Sequence, residues 1–276
     1  MAKEDKFPTI VTISQQKGGT GKSTITKNLT NYLALDKNKK VLNIDGDYSV
    51  YLTTNLYNVY ETQGNIGEIF TKDNKDGSKN VCYYNVHPNI DLVVGDPYLH
   101  EKLNSLEMEE GKSFYLLRWV SKHQKELSEY DFIIIDTHND FSLFTKNAIV
   151  ISDVVLAPLD PSDPKGTSAT RMEFEFKKLE RDLLDPISNK PYVNANFYII
   201  GNRIAKNTAS HKEFLKLIQE RKDYLTWIPR KELFVKASKE IKTMDQMNKE
   251  ESNRHNTFYS EYSEAMERIY SVIKIQ

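Results

Sequence analysis

Cysteine is almost absent from this sequence, since Cys82 is the only one among 276 residues. One cysteine forms no internal disulfide and supplies no multi-cysteine zinc or iron–sulfur site, so these constructions are excluded and a reducing compartment is favoured. Glycine (11) and proline (9) are scarce as well. So few glycines and prolines exclude a collagen-like or low-complexity chain.

The chain also lacks a dominant charge and a long apolar run. Lys and Arg (38) nearly balance Asp and Glu (39), so no global basic field indicates nucleic acid, although a local basic patch stays open. No apolar run approaches the roughly 20 residues that cross a bilayer, and residues 1–6 are mostly charged. We therefore expect a cytoplasmic protein.

What the sequence does contain is typical of a soluble globular protein, with 39% hydrophobic and 28% charged residues. Six short runs rich in Val and Ile predict strands that are buried on both faces. These runs are residues 10–14, 41–45, 90–94, 132–136, 154–158 and 197–201. Amphipathic helix patterns lie between them, around Leu29, Trp119 and Phe176. The alternation predicts an α/β fold, a doubly wound and mostly parallel sheet with helices on both faces, in a single domain over 1–276.

Three further segments complete this organisation. Residues 71–80 are rich in Gly, Asn, Lys and Asp and predict an exposed loop, and Asp185-Pro186 ends the long helix before it. A basic segment over about 226–251 has few apolar runs. A final helix over about 257–274 carries an apolar stripe that we expect to face the core.

The most informative motif is residues 17–24, KGGTGKST, placed between the first strand and the first helix. Three glycines let backbone N–H groups approach phosphate oxygens, and the following helix presents its positive end to them. Lys22 then supplies a cation for the β and γ phosphates, and Ser23 supplies a hydroxyl for a magnesium ion. The leading glycine of the general phosphate-loop pattern is replaced by Gln16.

The extra lysine at the front of the motif resembles the deviant Walker A loop of the ParA/MinD ATPase superfamily. The resemblance implies a P-loop NTPase whose cofactors are ATP and Mg²⁺. Lys22 already serves the phosphates of its own subunit, so Lys17 has no ready role there. In the family the equivalent lysine reaches the nucleotide of a partner, which implies a homodimer that sandwiches ATP.

Two acidic motifs follow strands at the expected ligand-binding edge. Asp45 and Asp47 close the second run and resemble the family's switch I, in which Asp47 orients the attacking water and Asp45 supports the magnesium shell. Asp136 closes an apolar strand in the form of a Walker B motif and holds magnesium through water. The family pattern breaks after each motif, at residues 48–51 (YSVY) and 138–139 (HN). These departures bear on the rate of hydrolysis more than on nucleotide binding.

His138 is a candidate general base. Phosphoryl transfer mainly needs a positioned water, so we do not assign His138 that role. Residues 153–161 resemble the family's next strand and its proline-bearing loop at the dimer interface. Asn202 either reads the adenine edge through its amide or caps the strand end. Pro229 lies in a segment that resembles the family's late Ile-Pro element near the base.

The expected roles are therefore as follows. The catalytic set is Lys17, Lys22 and Asp47. The metal set is Ser23, Asp45 and Asp136. The nucleotide-binding set is Gly18, Gly19, Thr20, Gly21, Lys22, Ser23, Thr24, Asn202 and Pro229.

Members of the superfamily differ in the surface that their dimer recognises. A single cysteine excludes the nitrogenase iron protein, and the tyrosines are too scattered to favour the kinase relatives strongly. The last helix carries Glu261, Glu264 and Glu267, which argues against a basic membrane-binding helix. Only about eight residues precede the first strand, so we expect no helix-turn-helix extension. The short ParA type is the best match.

Backbone contacts to DNA would come from a local set of cations. The candidates, which alternatively form a solvated face beside Glu232, Glu240 and Asp245, are Arg230, Lys231, Lys236, Lys239 and Lys242. The resemblance implies a plasmid or chromosome partition ATPase, slow without its partner, associated with the nucleoid. Its ATP-bound dimer would bind double-stranded DNA without sequence preference, and a ParB-like centromere-binding protein would stimulate hydrolysis. A MinD-like positioning ATPase on the membrane, or a nucleotide-binding scaffold that hydrolyses poorly, stays as an alternative.

Overall fold

The core of the molecule is an eight-stranded sheet. We analysed a computed structural model, which describes residues 7–252, 254 and 256–274. The strands are β1 (Thr9–Ile13), β2 (Val41–Gly46), β3 (Tyr84–His87), β4 (Ile90–Val93), β5 (Phe132–Thr137), β6 (Val154–Leu159), β7 (Asn196–Ile204) and β8 (Tyr224–Pro229). Their spatial order is β3-β4-β2-β5-β1-β6-β7-β8, and only β3 runs antiparallel to its neighbour.

Ten α-helices and four π-helical or 3₁₀ turns lie between and after these strands within the described residues. The helices are α1 (Lys22–Asn31), α2 (Leu99–Ser105), α3 (Tyr115–Lys122), α4 (Gln124–Leu127), α5 (Leu143–Ile151), α6 (Thr167–Asp182), α7 (Ala209–Gln219), α8 (Glu232–Ser238), α9 (Met244–Glu250) and α10 (Asn256–Ile273). The π-helical turns are Tyr32–Asp36 and Leu52–Leu56, and the 3₁₀ turns are Ile66–Glu68 and Lys112–Phe114.

Alternation along each central strand divides its side chains between two cores. In β5, Phe132 and Ile134 join the core under α1, α8, α9 and α10, whereas Ile133 and Ile135 join the core on the opposite face, under α2 to α5. A third cluster extends that opposite face under α6 and α7. A strand covered on both faces needs apolar residues at every position, which explains the uninterrupted Val and Ile runs.

The structure confirms the doubly wound, mostly parallel fold and the six predicted strands. It adds β3 and β8, which the apolar-run criterion missed. Tyr84–His87 is a half-exposed edge strand with polar residues, and Tyr224–Pro229 mixes aromatic and polar residues. The final helix is confirmed, and its stripe is buried. The ends of the expected domain, residues 1 and 276, lie outside the described residues.

The basic segment contributes to the core as well as to the surface. It contains α8 and α9, and Leu233, Phe234, Ala237, Met244 and Met247 are buried beneath α1 and α10. Few long apolar runs appear there because each helix is only seven residues long and buries a single stripe. Residues 71–80 form turns and irregular backbone, as predicted.

Candidate nucleotide site

Three neighbouring strands bring the predicted motifs to one edge of the sheet. β1 leads into the loop at residues 17–21, β2 ends beside Asp47, and β5 carries Asp136. In the sheet register, Asp136 lies between Ile13 of β1 and Asp45 of β2. The parallel topology therefore brings together residues that are 91 and 123 positions apart in the sequence, as expected for ligand sites at the carboxyl ends of parallel strands.

The loop before α1 has the backbone of an anion site. Gly19 and Gly21 have φ angles of +74° and +88°, which an L side chain rarely adopts. A Cβ on Gly21 would also lie 2.6 Å from Nδ2 of Asn202. Gly21 precedes the first residue of α1, and no side chain caps the helix and no acidic residue lies in its first turn. The helix end thus leaves backbone N–H groups and a positive dipole for an anionic ligand.

Two adjoining cavities lie at this loop. The first, of about 320 Å³, is lined by Gly18, Gly19, Lys22, Ser23 and Asp47 among others, and we call it the phosphate-side cavity. The second, of about 600 Å³, is lined by Asn202, Pro229 and Arg230 among others, and we call it the base-side cavity. Gly21, Thr24 and Arg203 line both. Of the predicted nucleotide-binding residues, only Thr20 lines neither cavity, and its side chain is buried.

Lys22 is buried beside three carboxylates. Its side chain is almost fully buried. Burial lowers the pKa of Lys22, and the charges of Asp136, Asp47 and Asp140 oppose that shift. A lysine held beside several carboxylates in low dielectric is ready to pair with added negative charge, such as phosphate oxygens, without a further cost of burial.

Asp136 and Ser23 fit a magnesium ion. Asp136 is fully buried, its Oδ1 accepts a hydrogen bond of 3.3 Å from Thr26, and its Oδ2 has no hydrogen-bond partner among the described residues. Burial and the nearby Asp45 raise the pKa of Asp136, while the Ser23 hydroxyl and Lys22 oppose the shift. An orphaned buried carboxylate oxygen is costly unless a cation or water meets it.

The described residues contain no cluster of three or more His, Cys, Asp or Glu side chains that would hold a metal alone. That composition suits magnesium, which keeps waters and phosphate oxygens as most of its ligands. Asp136 and Ser23 would hold the ion, and the ion would offset charge on the phosphates.

The two switch I aspartates occupy different environments. Asp45 is fully buried: Oδ1 accepts from the Asp47 N–H at 3.1 Å, and Oδ2 accepts from the Thr53 N–H at 2.9 Å and its hydroxyl at 2.6 Å. Burial raises the pKa of Asp45, and these bonds oppose the shift. Asp47 lines the phosphate-side cavity, and its Oδ1 accepts from the Ser49 N–H at 2.8 Å. Asp47 therefore lines the phosphate-side cavity, whereas Asp45 binds backbone and side-chain donors at the end of β2. The place of Asp45 in a magnesium shell stays a prediction.

Lys17 contacts the loop that follows β6. Its Nζ donates to the Ser162 hydroxyl at 2.6 Å and lies 3.9 Å from Oδ1 of Asp160, both after β6. Its side chain is about one-third exposed. Lys17 is therefore held at the surface beside the site, apart from Lys22.

Two residues of this site, Asp160 and Arg203, did not stand out in the sequence. The Arg203 guanidinium donates to the Gly19 carbonyl oxygen and lies 3.6 Å from Asp160. Arg203 also has a φ angle of +56° at the end of β7. The pair ties the loop after β6 and the end of β7 to the phosphate loop. The sequence signals were an Arg directly after Asn202 at a strand end and the position of Asp160 within residues 153–161.

The altered residues of the two switch motifs form one cluster. Tyr48 stacks against His138 with ring centroids 3.8 Å apart. Asp140 accepts a hydrogen bond of 3.2 Å from the Tyr48 hydroxyl, and its Oδ2 lies 3.1 Å from Nδ1 of His138. Burial acts to raise the pKa of Asp140, but hydrogen bonds from His138 and Ser142 outweigh it and lower the pKa to about 2. His138 also lines the phosphate-side cavity.

Asn202 is tied to the phosphate loop. Its Nδ2 donates to the Thr20 carbonyl oxygen at 2.7 Å, its Oδ1 accepts from the Arg203 N–H at 2.9 Å, and its side chain is buried. These bonds hold the phosphate loop against the end of β7. Asn202 and Pro229 both lie in the base-side cavity, and direct reading of a base by Asn202 stays a prediction.

The candidate DNA-binding residues fall into three groups. Arg230 and Lys231 line the base-side cavity. Lys236 pairs with Glu251 at 2.9 Å, and Lys242 pairs with Glu240 and Glu250 at 2.9 and 3.1 Å. Lys239 is exposed on the surface. These ion pairs offset the charge of Lys236 and Lys242, and DNA binding by the five residues stays a prediction.

A family model described as an AAA domain matches residues 8–186, about two thirds of the chain. The chain belongs to this family. The matched region contains the phosphate loop, both switch I aspartates and Asp136. Asn202, Arg203, His211 and the basic segment lie outside it.

Comparisons with individual proteins place the chain among ParA-type P-loop ATPases. A virulence plasmid ParA family protein from Chlamydia psittaci is 29% identical over 145 residues, covering 52% of this chain and 54% of the relative. This chain spans a little over half the length of the curated relatives that it matches.

The solved structures cover nearly the whole chain. A candidate plasmid partition protein from Borrelia burgdorferi B31, bound to AMPPNP, is 26% identical with a TM-score of 0.73, covering 96% of this chain and 99% of that one. Cobyrinic acid a,c-diamide synthase from Mycobacterium smegmatis, solved with an ATP analogue and magnesium, shares the fold at 17% identity. Its TM-score is 0.68, covering 90% of this chain and 97% of that one. The fold therefore serves more than one chemistry, and function must be argued from the site.

Proposed function

We propose that this ParA-type protein is a partition ATPase. ATP and Mg²⁺ bind at the two cavities, and the loaded protein closes into a homodimer that binds double-stranded DNA without sequence preference. A ParB-like centromere-binding protein then stimulates hydrolysis and releases the DNA. The relatives support this proposal, since one is a ParA family protein of a virulence plasmid and another is a candidate plasmid partition protein. The proposal includes a nucleoid-associated, cytoplasmic location.

The observation that carries the proposal is that Lys22 and Lys17, at opposite ends of the phosphate loop, lie in different environments. Lys22 is buried at the phosphate-side cavity, and Lys17 is held at the surface on Ser162 and Asp160. Within one subunit, the contacts of Lys17 tie the start of the phosphate loop to the loop after β6. Across a dimer interface, Lys17 would instead contact the nucleotide that the second subunit presents.

Coupling between nucleotide and DNA follows from differential affinity. ATP changes the affinity for DNA only if it favours a state that binds DNA better. The basic segment, residues 226–251, holds six basic and five acidic side chains, so one subunit has little net charge to offer. A dimer joins two such surfaces on one duplex, and the second contact then forms at high effective concentration.

Helix α1 connects the phosphate loop to this basic segment. Asn28 donates to the Phe234 carbonyl oxygen of α8 at 3.1 Å. Asn31 donates to the carbonyl oxygen of Glu240 at 2.8 Å. A helix that begins at Lys22 therefore holds the backbone of the segment that carries Lys236, Lys239 and Lys242, which supports a role for nucleotide in positioning them.

The membrane alternative has less support. The apolar stripe of α10 is buried against the sheet, with Tyr262, Met266 and Ile269 each at most 3% exposed. No helix within the described part of the chain has the length and hydropathy needed to span a bilayer. The scaffold alternative rests on the residues that follow Asp47 and Thr137, and it predicts no turnover above that of a Lys22→Ala variant.

The test is the mass of the protein in solution, with ATP and Mg²⁺, with ADP and without nucleotide. We expect dimers only with ATP, no nucleotide-dependent dimers in Lys22→Ala, and ATP binding without stable dimers in Lys17→Ala. Lys165→Ala, a change at a nearby exposed lysine, is the control. ATP-independent dimers, or ATP dimers that persist in Lys17→Ala, would contradict the proposal. ATP turnover with and without the partner protein separates a slow enzyme from a scaffold.

A further inference from the structure

Asn139 places a side-chain amide against the phosphate loop. It is the second residue after β5, is exposed, and lines the phosphate-side cavity. A Cβ added to Gly18 would lie 2.9 Å from Nδ2 of Asn139. Apart from the chain neighbours of Gly18, no other described residue has an atom within 4 Å of that Cβ position. The amide of Asn139 therefore occupies the space directly beside Gly18.

This contact accounts for a glycine that the backbone conformation does not require. Gly19 and Gly21 have left-handed φ angles, whereas Gly18 does not. A Cβ at Gly18 would come too close to the Asn139 amide alone, and the space beside Gly19 is open within the described part of the chain. The amide thus lies at the front of the phosphate loop, next to open space that a ligand can fill.

The Asn139 amide is free to bond a ligand. Its side chain forms no hydrogen bond within the described residues. Asp47, Arg203 and His138, on the same cavity, are each engaged by a protein contact. None of the other polar side chains that line the cavity comes within 4 Å of the Cβ position of Gly18. Asn139 therefore offers a donor at Nδ2 beside Gly18 without losing an existing bond.

The front of the loop corresponds to the terminal phosphate of a bound nucleotide. Gly21 and Thr24 line both cavities, whereas Gly18 and Asp47 line only the phosphate-side cavity. A nucleotide with its base in the base-side cavity crosses at Gly21 and Thr24, and its phosphates then extend toward Gly18. The phosphate farthest from the base therefore lies nearest to the Asn139 amide.

We infer that Nδ2 of Asn139 donates a hydrogen bond to the γ-phosphate and thereby favours ATP over ADP. A bond to a charged oxygen is stronger than one between neutral groups. ADP ends one phosphate earlier and leaves the amide without this partner. Asn139 lies in the segment at which the sequence departs from the family pattern, so the contact is a property of this chain. The inference rests on the proposed nucleotide-binding function and adds a residue that distinguishes the two nucleotides.

Two substitutions test the amide donor. Asn139→Ala removes the amide, and Asn139→Asp keeps its size but replaces the donor with a carboxylate that repels phosphate. Neither change breaks a hydrogen bond within the described residues. Asn80→Ala is the matched control, because Asn80 is also exposed, has no side-chain hydrogen bond within the described residues and lies outside both cavities.

The experiment measures the dissociation constants of AMPPNP and ADP, each with Mg²⁺, for the full-length variants. The measurements are made in wild type and in a Lys17→Ala background, in which we expect no stable dimers. We expect Asn139→Ala to weaken AMPPNP binding about tenfold and Asn139→Asp to weaken it at least as much. ADP binding should change less than twofold in both variants, and Asn80→Ala should change neither nucleotide.

A merely structural role of Asn139 would weaken both nucleotides equally, and that result would overturn the inference. Unchanged AMPPNP affinity in Asn139→Ala would overturn it as well. A loss of AMPPNP affinity that disappears in the Lys17→Ala background would show that Asn139 acts through the dimer, which also contradicts a contact with the γ-phosphate of its own subunit. Wild-type protein that binds neither nucleotide would instead contradict the proposed function.

Discussion

Tyr48 lies against His138 with ring centroids 3.8 Å apart and planes inclined by 30°. The two rings come from different strand ends, one following β2 and the other following β5. Asp140 joins them by accepting from the Tyr48 hydroxyl and contacting His138. The two positions at which the sequence departs from the ParA/MinD pattern are therefore a single contact. We interpret it as a replacement that fixes the two switch loops relative to each other.

Breaking this contact should slow turnover more than it weakens nucleotide binding. Tyr48→Ala removes the stack, and Tyr48→Phe keeps the stack but loses the bond to Asp140. An aromatic pair contributes about 0.5–1.5 kcal/mol, so we expect Tyr48→Ala to reduce ATP turnover about 2- to 10-fold, with a smaller loss in Tyr48→Phe. ATP affinity should change less than twofold in both. Steady-state hydrolysis and equilibrium binding measure the two quantities, with exposed Tyr60→Ala as the control. Unchanged turnover in Tyr48→Ala would contradict the interpretation that this contact fixes the two switch loops.

The asparagines of α1 should link nucleotide to the basic segment. Asn28 and Asn31 are buried, and their amides donate to carbonyl oxygens at Phe234 and Glu240. Asn28→Ala leaves the buried Phe234 carbonyl oxygen without that donor, at a cost of about 1–3 kcal/mol, and Asn31→Ala does the same, at a smaller cost, at half-buried Glu240. We expect either variant to bind ATP and to lose most of the increase in DNA affinity that ATP produces.

The comparison for these variants is Asn104→Ala, which removes an exposed asparagine on α2. DNA binding is measured with and without ATP, and thermal unfolding confirms that the variant is folded at the assay temperature. A full ATP effect in the folded Asn28→Ala and Asn31→Ala variants would show that α1 does not transmit the nucleotide state.

Burial of the Lys27 ammonium should destabilise the folded protein near neutral pH. Its side chain is fully buried in α1, and its ammonium has no hydrogen-bond partner within the described residues, although it lies 3.6 Å from the centre of the Tyr57 ring. Burial lowers the pKa of Lys27 from 10.5 to about 7. The unfolded chain therefore binds more protons than the folded chain between these values, and the free energy of unfolding should rise with pH in that window.

Lys27→Met removes this penalty. We expect the free energy of unfolding to increase by about 1–4 kcal/mol at pH 7 and its rise toward pH 10 to become shallower. Urea denaturation at pH 7 and 9 measures both effects, beside the exposed control Lys178→Met. A Lys27→Met variant that is less stable at pH 7 would indicate that the contact with Tyr57 outweighs the cost of burial.

Asp136 should destabilise the ligand-free protein as pH rises. Burial and Asp45 raise its pKa above the ordinary 3.8, so the unfolded chain releases its proton first and stability is lost as pH increases through the folded-state pKa. Asp136→Asn should therefore raise the melting temperature of the ligand-free protein at pH 8 and change it little near pH 4. It should also lose the added stability that ATP gives with Mg²⁺ over ATP with EDTA. Thermal unfolding under these conditions tests the pair of effects. A lower melting temperature at pH 8 with an intact magnesium effect would refute the assignment.

The sequence predicted what depends on local chemistry. Residues 17–24 identify the phosphate loop because glycines, lysines and hydroxyls must occur in that order after a strand. The six inner strands were predicted because both faces are covered. β8 was missed because its aromatic and polar residues resemble the start of the basic segment. The two strands that were missed, β3 and β8, are only partly buried, which leaves no simple hydrophobic period in the sequence.

Contacts between distant segments were beyond prediction. No residue near Tyr48 in the sequence indicates that its ring packs against His138. Likewise, no residue near Asn28 indicates that its amide donates to the carbonyl oxygen of Phe234. The pairing of Lys236 and Lys242 with acidic residues also depends on how α8 and α9 turn on the surface. A single sequence shows the charges, but only the fold shows which of them neutralise each other.

ATP should switch this protein onto DNA, and binding to an unrelated duplex at several salt concentrations measures that switch. Wild type is compared with ATP and Mg²⁺, ADP or no nucleotide, beside Lys22→Ala and Asp47→Ala. We expect binding only with ATP, and this binding should weaken steeply as salt rises because phosphate contacts release counterions. Lys22→Ala should not bind, and Asp47→Ala should bind ATP and stay on DNA. Equal binding with ATP, ADP and no nucleotide, or no binding at any salt concentration, would contradict the account.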